Sequence, residues 1–177
     1  MIVDDESVDP SYTFNFIKAG SHIVYFLSND EFNTLDSMFF NIKNMISISF
    51  TSLFKAQKIE STYEMFSDCY SLKSIDFSNL NIENVINMRG MFSSCQSLTS
   101  IDLSNLNTPN AKEIEFMFSQ CSNIKYINII NFNNNDIKYK YIFEGISPST
   151  EIIMNDNLYK ILKENNEITD FTNIKVK

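Results

Sequence analysis

Along the middle of the chain the apolar and polar positions repeat one short theme. Leu72, Ile75, Phe77 and Leu80 fall in the spacing LxxIxFxxL, and Ile75 and Phe77 alternate with polar neighbours. That alternation predicts a short strand with one buried face. A polar loop follows, after which Val85, Met88, Met91 and Phe92 recur at three- and four-residue intervals. Side chains so spaced share one face of a helical turn, and Asn84, or Asn110 in the next unit, is placed to cap it. Each unit thus reads as strand, loop, short helical turn and a tight turn containing cysteine.

The theme has a fixed period. Cys69, Cys95 and Cys121 stand 26 residues apart. The blocks starting at Met65 and Met91, MFSDCYSLKSIDFSNLN and MFSSCQSLTSIDLSNLN, agree at 13 of 17 positions. A third block from Met117 keeps Met117, Phe118, Cys121, Ile127 and Asn133, and an earlier one from Met38 keeps Met38, Phe39, Ile48, Phe50 and Leu53. After Tyr141 a shortened unit carries Ile142, Phe143, Ile146, Ile152 and Met154. A unit of this size buries too little to fold alone, so the coils must stack on one another and their ends need covering. Tyr12, Phe14 and Phe16, the run Ile23 to Leu27, and a helix started by Asn29 or Asp30 and bearing Phe32, Leu35, Met38 and Phe39 would cover one end. A helix from Asp156 to Asn165, with Leu158, Ile161 and Leu162 inward and Lys160 and Lys163 outward, would cover the other.

The stretch MFSSCQSLTSIDLSNLNTPN, Met91 to Asn110, resembles the BspA-like leucine-rich repeats, the bacterial surface protein repeats of 26 residues. The resemblance runs from Met38 to Met154, with Ile42 and Ile146 in place of the cysteine in the outer units. The expected fold class is therefore an α/β repeat, a leucine-rich-repeat solenoid with short strands on one face and short helical turns on the other. Its expected organisation is one continuous domain, with residues 1–37 as N-terminal cap, 38–154 as repeats and 155–177 as C-terminal helical cap. The resemblance implies a non-enzymatic protein on the surface of bacteria or protists, with roles in adhesion and host-protein binding.

Charge narrows the partners. Fourteen basic against 22 acidic residues leave a net charge of -8, which repels the phosphate backbone of nucleic acid. The acidic opening, Asp4, Asp5, Glu6 and Asp9, is unlike the basic start of a secretory signal. The early apolar run of five residues is far short of the roughly twenty that a membrane helix needs. No Asn-x-Ser/Thr acceptor occurs. These features point towards the cytoplasm, whereas the resemblance points to the cell surface, and no membrane insertion is expected.

Chemistry has few footholds. Three cysteines at one repeat position read as a ladder of buried thiols, because zinc needs clustered ligands and a disulfide would leave one thiol over. His22 is the single histidine, beside the apolar run, and Gly20, Gly90 and Gly145 are too scattered for a phosphate loop. Neither an enzyme nor a cofactor is expected. Asp76 and Asp102 occupy equivalent strand positions and would stack about 4.8 Å apart on neighbouring strands. There they could raise each other's pKa, bind a hard cation together with Asn128, or simply make turn hydrogen bonds on a solvated face.

The residues between the buried strand positions form the candidate partner-binding face: Ser74, Asp76 and Ser78, then Ser100, Asp102 and Ser104, then Tyr126 and Asn128. Ser47, Ser49 and Thr51 extend it on one side and Ile130 on the other. The expected function is a binding or adhesion module whose sheet face holds a protein or glycan. The alternative is a spacer or intracellular scaffold assembling through the solenoid's ends or edges.

Overall fold

The computed structural model describes residues 33–50 and 58–177, together with the backbone of three two-residue strands near the start of the chain. The chain divides into two units, Met1–Phe32 and Asn33–Lys177. In the first, β1 (Ile2–Val3), β2 (Glu6–Ser7) and β3 (Val24–Tyr25) form an antiparallel sheet in the order β2-β1-β3. The third lies within the apolar run Ile23 to Leu27. Tyr12, Phe14, Phe16, His22, Asn29, Asp30 and Phe32 fall outside the described residues.

The second unit is a solenoid of about five coils. Each carries a short strand: β4 (Ser47–Ser49), β5 (Ser74–Asp76), β6 (Ser100–Asp102), β7 (Tyr126–Asn128) and β8 (Glu151–Met154). The strands sit where the alternation places them and pair in parallel one repeat apart. Ser47 to Ser49 register with Ser74 to Asp76, and Ser100 to Asp102 with Tyr126 to Asn128. Beneath them Ile101, Leu103, Ile127 and Ile129 are buried.

The Met-Phe segments differ from the expected helical turns. They form consecutive tight turns with two left-handed residues, four apart, in each coil: Ser37 and Asn41, Glu64 and Asp68, Gly90 and Ser94, Phe116 and Gln120, Tyr141 and Gly145. Every second N–H points out of its own coil. Glu64, Phe66 and Asp68 donate to the carbonyls of Arg89, Met91 and Ser93 at 2.9 Å each, and Gly90, Phe92 and Ser94 repeat the pattern onto Glu115, Met117 and Ser119. The intervening N–H groups close turns within the coil, as Met65 onto Thr62 and Ser67 onto Glu64. A helix would direct all these donors internally, four residues back, and would leave adjacent coils unlinked. The spacing of Val85, Met88, Met91 and Phe92 is therefore that of turns stacked on turns. Asn110, read as a helix cap, instead donates its side-chain amide to the Glu83 carbonyl at 2.9 Å.

This ladder brings identical side chains into register. Phe39, Phe66, Phe92, Phe118 and Phe143 stack face to face through the core, with centroids 5.5, 5.8, 5.7 and 6.2 Å apart and planes within 12°. Met65, Met91 and Met117 are fully buried alongside.

At the C-terminal side, α1 (Asp156–Glu164) begins where the Asn155 carboxamide oxygen accepts the Leu158 N–H at 2.9 Å, and it buries Leu158 and Leu162. The chain then returns as β9 (Ile174–Val176), parallel to β8. Residues 155–177 are thus a helix and a strand rather than a helix alone.

Removing one ring from the middle of the stack opens a cavity that its neighbours cannot fill. Phe92→Ala is expected to cost about 3–5 kcal/mol in urea unfolding, and a loss under about 1 kcal/mol would contradict a packed stack.

Candidate functional site

The sheet face is where the residues singled out from the repeat come together, in part. Ser74, Asp76, Ser78, Ser100 and Asp102 are exposed, whereas Ser104 and Tyr126 are half-buried. Asn128 is not exposed: it is 9% accessible and turns its carboxamide oxygen to the Ile130 N–H at 3.3 Å. Its register partners are Asp102 on one side and the buried Ile153 on the other.

Nor do the two aspartates form a stacked pair. Among the described residues no ladder joins β5 to β6, since the sheet divides into β4-β5 and β6-β7-β8-β9. Each carboxylate serves a turn of its own. Asp76 Oδ1 accepts the Ser78 N–H at 2.9 Å, and Asp102 Oδ1 accepts the Ser104 N–H at 2.8 Å. The hydroxyl and N–H of Ser78 hold the Asp76 pKa below the ordinary carboxylate value. At Asp102 burial pushes the other way, but the Ser104 hydroxyl and N–H, with Asn128 and Tyr126, bring the pKa below the ordinary value too. Of the alternatives open from the sequence, the turn hydrogen bonds are the ones formed, and both pKa values are lowered because hydrogen bonds to the ionised form outweigh the rest. Among the described residues no group of three His, Cys, Asp or Glu side chains is placed to hold a metal.

The same face continues into a polar edge just past the strands. Asn131 and Asn155 donate their amides to carbonyls of the coil before them, those of Ser104 and Leu106 and those of Ile130 and Phe132. Asn79 does likewise to Phe50 at 2.9 Å. This column was legible as a recurrence of asparagine after β5, β6, β7 and β8, at Asn79, Asn105, Asn131 and Asn155, masked by the abundance of asparagine elsewhere. Two shallow clefts lie there, of about 420 and 330 Å³, both lined by Asn105 and Asn107.

A second exposed feature escaped the sequence reading altogether. On the turn ladder Arg89 lies over the Phe116 ring at 5.1 Å and 3.9 Å from a Glu115 oxygen, while Phe116 stacks on Tyr141 at 5.1 Å. Tyr141 is 50% exposed. Only a backbone that puts residues 25 to 27 apart side by side brings these three together.

Cys69, Cys95 and Cys121 are free and fully buried, as the repeat position suggests. Their thiols donate to the carbonyls of Phe39, Phe66 and Phe92 in the preceding coil at 3.0, 3.2 and 3.0 Å. Each thus ties its coil to the ring stack of the previous one. Burial pushes Cys69 and Cys121 up to about 12 and raises Cys95 as well. Such thiols are packing groups and poor nucleophiles at neutral pH.

The raised thiols predict a pH dependence. The unfolded chain releases these protons near pH 9 while the folded chain keeps them, so stability is full below about pH 9 and falls as pH rises towards 12, by up to about 1.4 kcal/mol per pH unit per thiol. A Cys69→Ala/Cys95→Ala/Cys121→Ala variant should lose less stability between pH 9 and 11 than wild type in denaturant titrations. Parallel losses would show that the thiols are not held protonated.

Among the described residues no helix is long and apolar enough to cross a membrane. No curated protein matches the chain. The chain is similar in structure to a leucine-rich repeat protein from Bacteroides ovatus ATCC 8483, with a TM-score of 0.47 and 22% sequence identity. The match covers 80% of this chain and 39% of that protein's chain, so this chain matches well under half of its length. The family described as Mycoplasma protein of unknown function, DUF285, matches residues 33–156, which is most of the solenoid from its first described residue to the start of α1, and the chain belongs to that family.

Proposed function

We propose that the solenoid is a non-enzymatic binding module that presents the β6–β7 part of its sheet face to a protein partner. The observation that carries this reading is the setting of Tyr126. It is a half-buried aromatic beside the exposed Asp102 on a strip otherwise made of Ser100 and Ser104. A tyrosine, amphipathic and with few rotatable bonds, is among the residue types enriched at the energetic centre of protein interfaces. The resemblance to BspA-like repeats supports adhesion and a place on the cell surface, and a glycan is the other partner class it allows.

One observation favours a scaffold instead. Among the described residues β9 pairs on one side alone, with β8, and its Val176 is 40% exposed. An open strand edge is a template for another strand, so assembly through that end is the second reading.

A pull-down from lysate and surface extract of the source organism distinguishes the two, with wild type and a Tyr126→Ala/Asp102→Lys variant shown to be equally folded. A face-mediated partner should be lost, with affinity falling at least about 30-fold for a central anchor. Equal capture by both proteins would overturn the face and favour the edge.

A further inference from the structure

The sheet is interrupted between the two coils whose sequences are most alike. β5 and β6 both read Ser-Ile-Asp, yet β4 pairs with β5 and β6 with β7 while no pairing joins β5 to β6. Flanking coils show what is missing. Lys73 N–H donates to Ile46 O at 2.8 Å and Lys125 N–H to Thr99 O at 2.8 Å, but the equivalent bond from Thr99 N–H to Lys73 O is not formed. Leu103 N–H donates to Asn128 O at 2.9 Å, and its counterpart from Phe77 N–H to Asp102 O is absent too.

Three further features fall at the same place. Ile75 and Phe77 are half-buried where their counterparts Ile101 and Leu103 are buried. Asn105 is exposed and lacks the bond to the preceding coil that Asn79, Asn131 and Asn155 make. The cleft of about 330 Å³ runs between the two coils, from Ser78 and Asn81 to Asn105 and Asn107. The turn ladder, by contrast, is unbroken across the same two coils, with Phe66 on Met91 and Asp68 on Ser93.

One pair of residues distinguishes this junction from the rest. In parallel register a closed sheet would set Asp76 directly against Asp102, and like charges directly opposite destabilise a strand pair. The junctions that do close oppose an aspartate with a neutral group, Ser49 with Asp76 and Asp102 with Asn128. Among the described residues neither aspartate has an ion-pair partner, whereas Glu113, Glu115, Glu151 and Asp156 all do.

We propose that Asp76 and Asp102 form an electrostatic wedge that keeps the sheet open between β5 and β6, making the intact turn ladder a hinge between coils one and two and coils three to five. The sheet face is then a surface of adjustable curvature, set by whether the two charges are neutralised. This inference stands apart from the partner reading, since no partner enters its test.

Hydrogen exchange of individual amides in the full chain at neutral pH tests it. In wild type the Phe77 and Thr99 amides should exchange at least about 10-fold faster than those of Leu103 and Lys125. Asp76→Asn recreates across the seam the Asp–Asn pair that β6 and β7 already form, keeps the turn onto Ser78, and should slow Phe77 and Thr99 to the level of their counterparts. Asp76→Ser recreates the Ser–Asp pair of β4 and β5 and should act likewise. The control Asp136→Asn, at an exposed site in another coil, should change neither amide. Wild-type protection of Phe77 and Thr99 equal to that of Leu103 and Lys125 would overturn the wedge. So would unchanged exchange in a folded Asp76 variant, or equal slowing by the control.

Discussion

The rest of the structure depends on the backbone hydrogen bonds that the turn segments send from one coil to the next. Because every second N–H in these segments leaves its own coil, adjacent coils are held one repeat apart over a run of about seven residues. The strands, at three or four residues each, make far shorter contacts. To turn alternate donors outward the chain must visit the left-handed region twice per coil, and it does so mostly with residues other than glycine. Each such residue is strained by about 1–2 kcal/mol, and the ordered ladder offsets that strain. With this register set, Phe must stand on Phe and each cysteine must reach the carbonyl of the Phe one coil earlier. The ring stack and the thiol ladder are consequences of the turns.

The sheet is the more tolerant side of the same coil. It can lose one junction while the turn ladder and the ring stack run on, as between β5 and β6. A strand face that can lose a junction is free to carry residues chosen for other ends, such as two aspartates at equivalent repeat positions or a tyrosine among serines. That division of labour is the physical reason to look for binding on the sheet face rather than in the stacked core.

Much of this was legible in the residues. The cysteine period placed the coils, and the alternation at Ile75 and Phe77 placed the strands within them. The turns were misread as helical because a 3- and 4-residue recurrence of apolar groups is shared by a helix and by stacked turns. Glycine and asparagine, the usual markers of left-handed backbone, occur at three of the ten positions, Asn41, Gly90 and Gly145, while Glu64, Phe116 and Tyr141 give no local sign. Asn128 read as exposed from parity alone; in the fold the adjoining coil, with Ile153 opposite, covers it. β9 was missed because Ile174 and Val176 flank a single lysine at the end of a polar stretch, and a strand that short is specified by the edge it joins. The seam needed both levels at once. The repeated aspartate is in the sequence, but that the strands carrying it do not pair appears only in the fold.

The most direct measurement of the turn ladder is the through-hydrogen-bond scalar coupling between amide nitrogen and carbonyl carbon in isotopically labelled protein. Couplings from Phe66 to Met91 and from Phe92 to Met117 are expected, skipping Met65 and Met91, whose amides bond within their own coil. Couplings that instead run four residues back along the chain would mean that these segments are helices, and the account of the coil would fail with them.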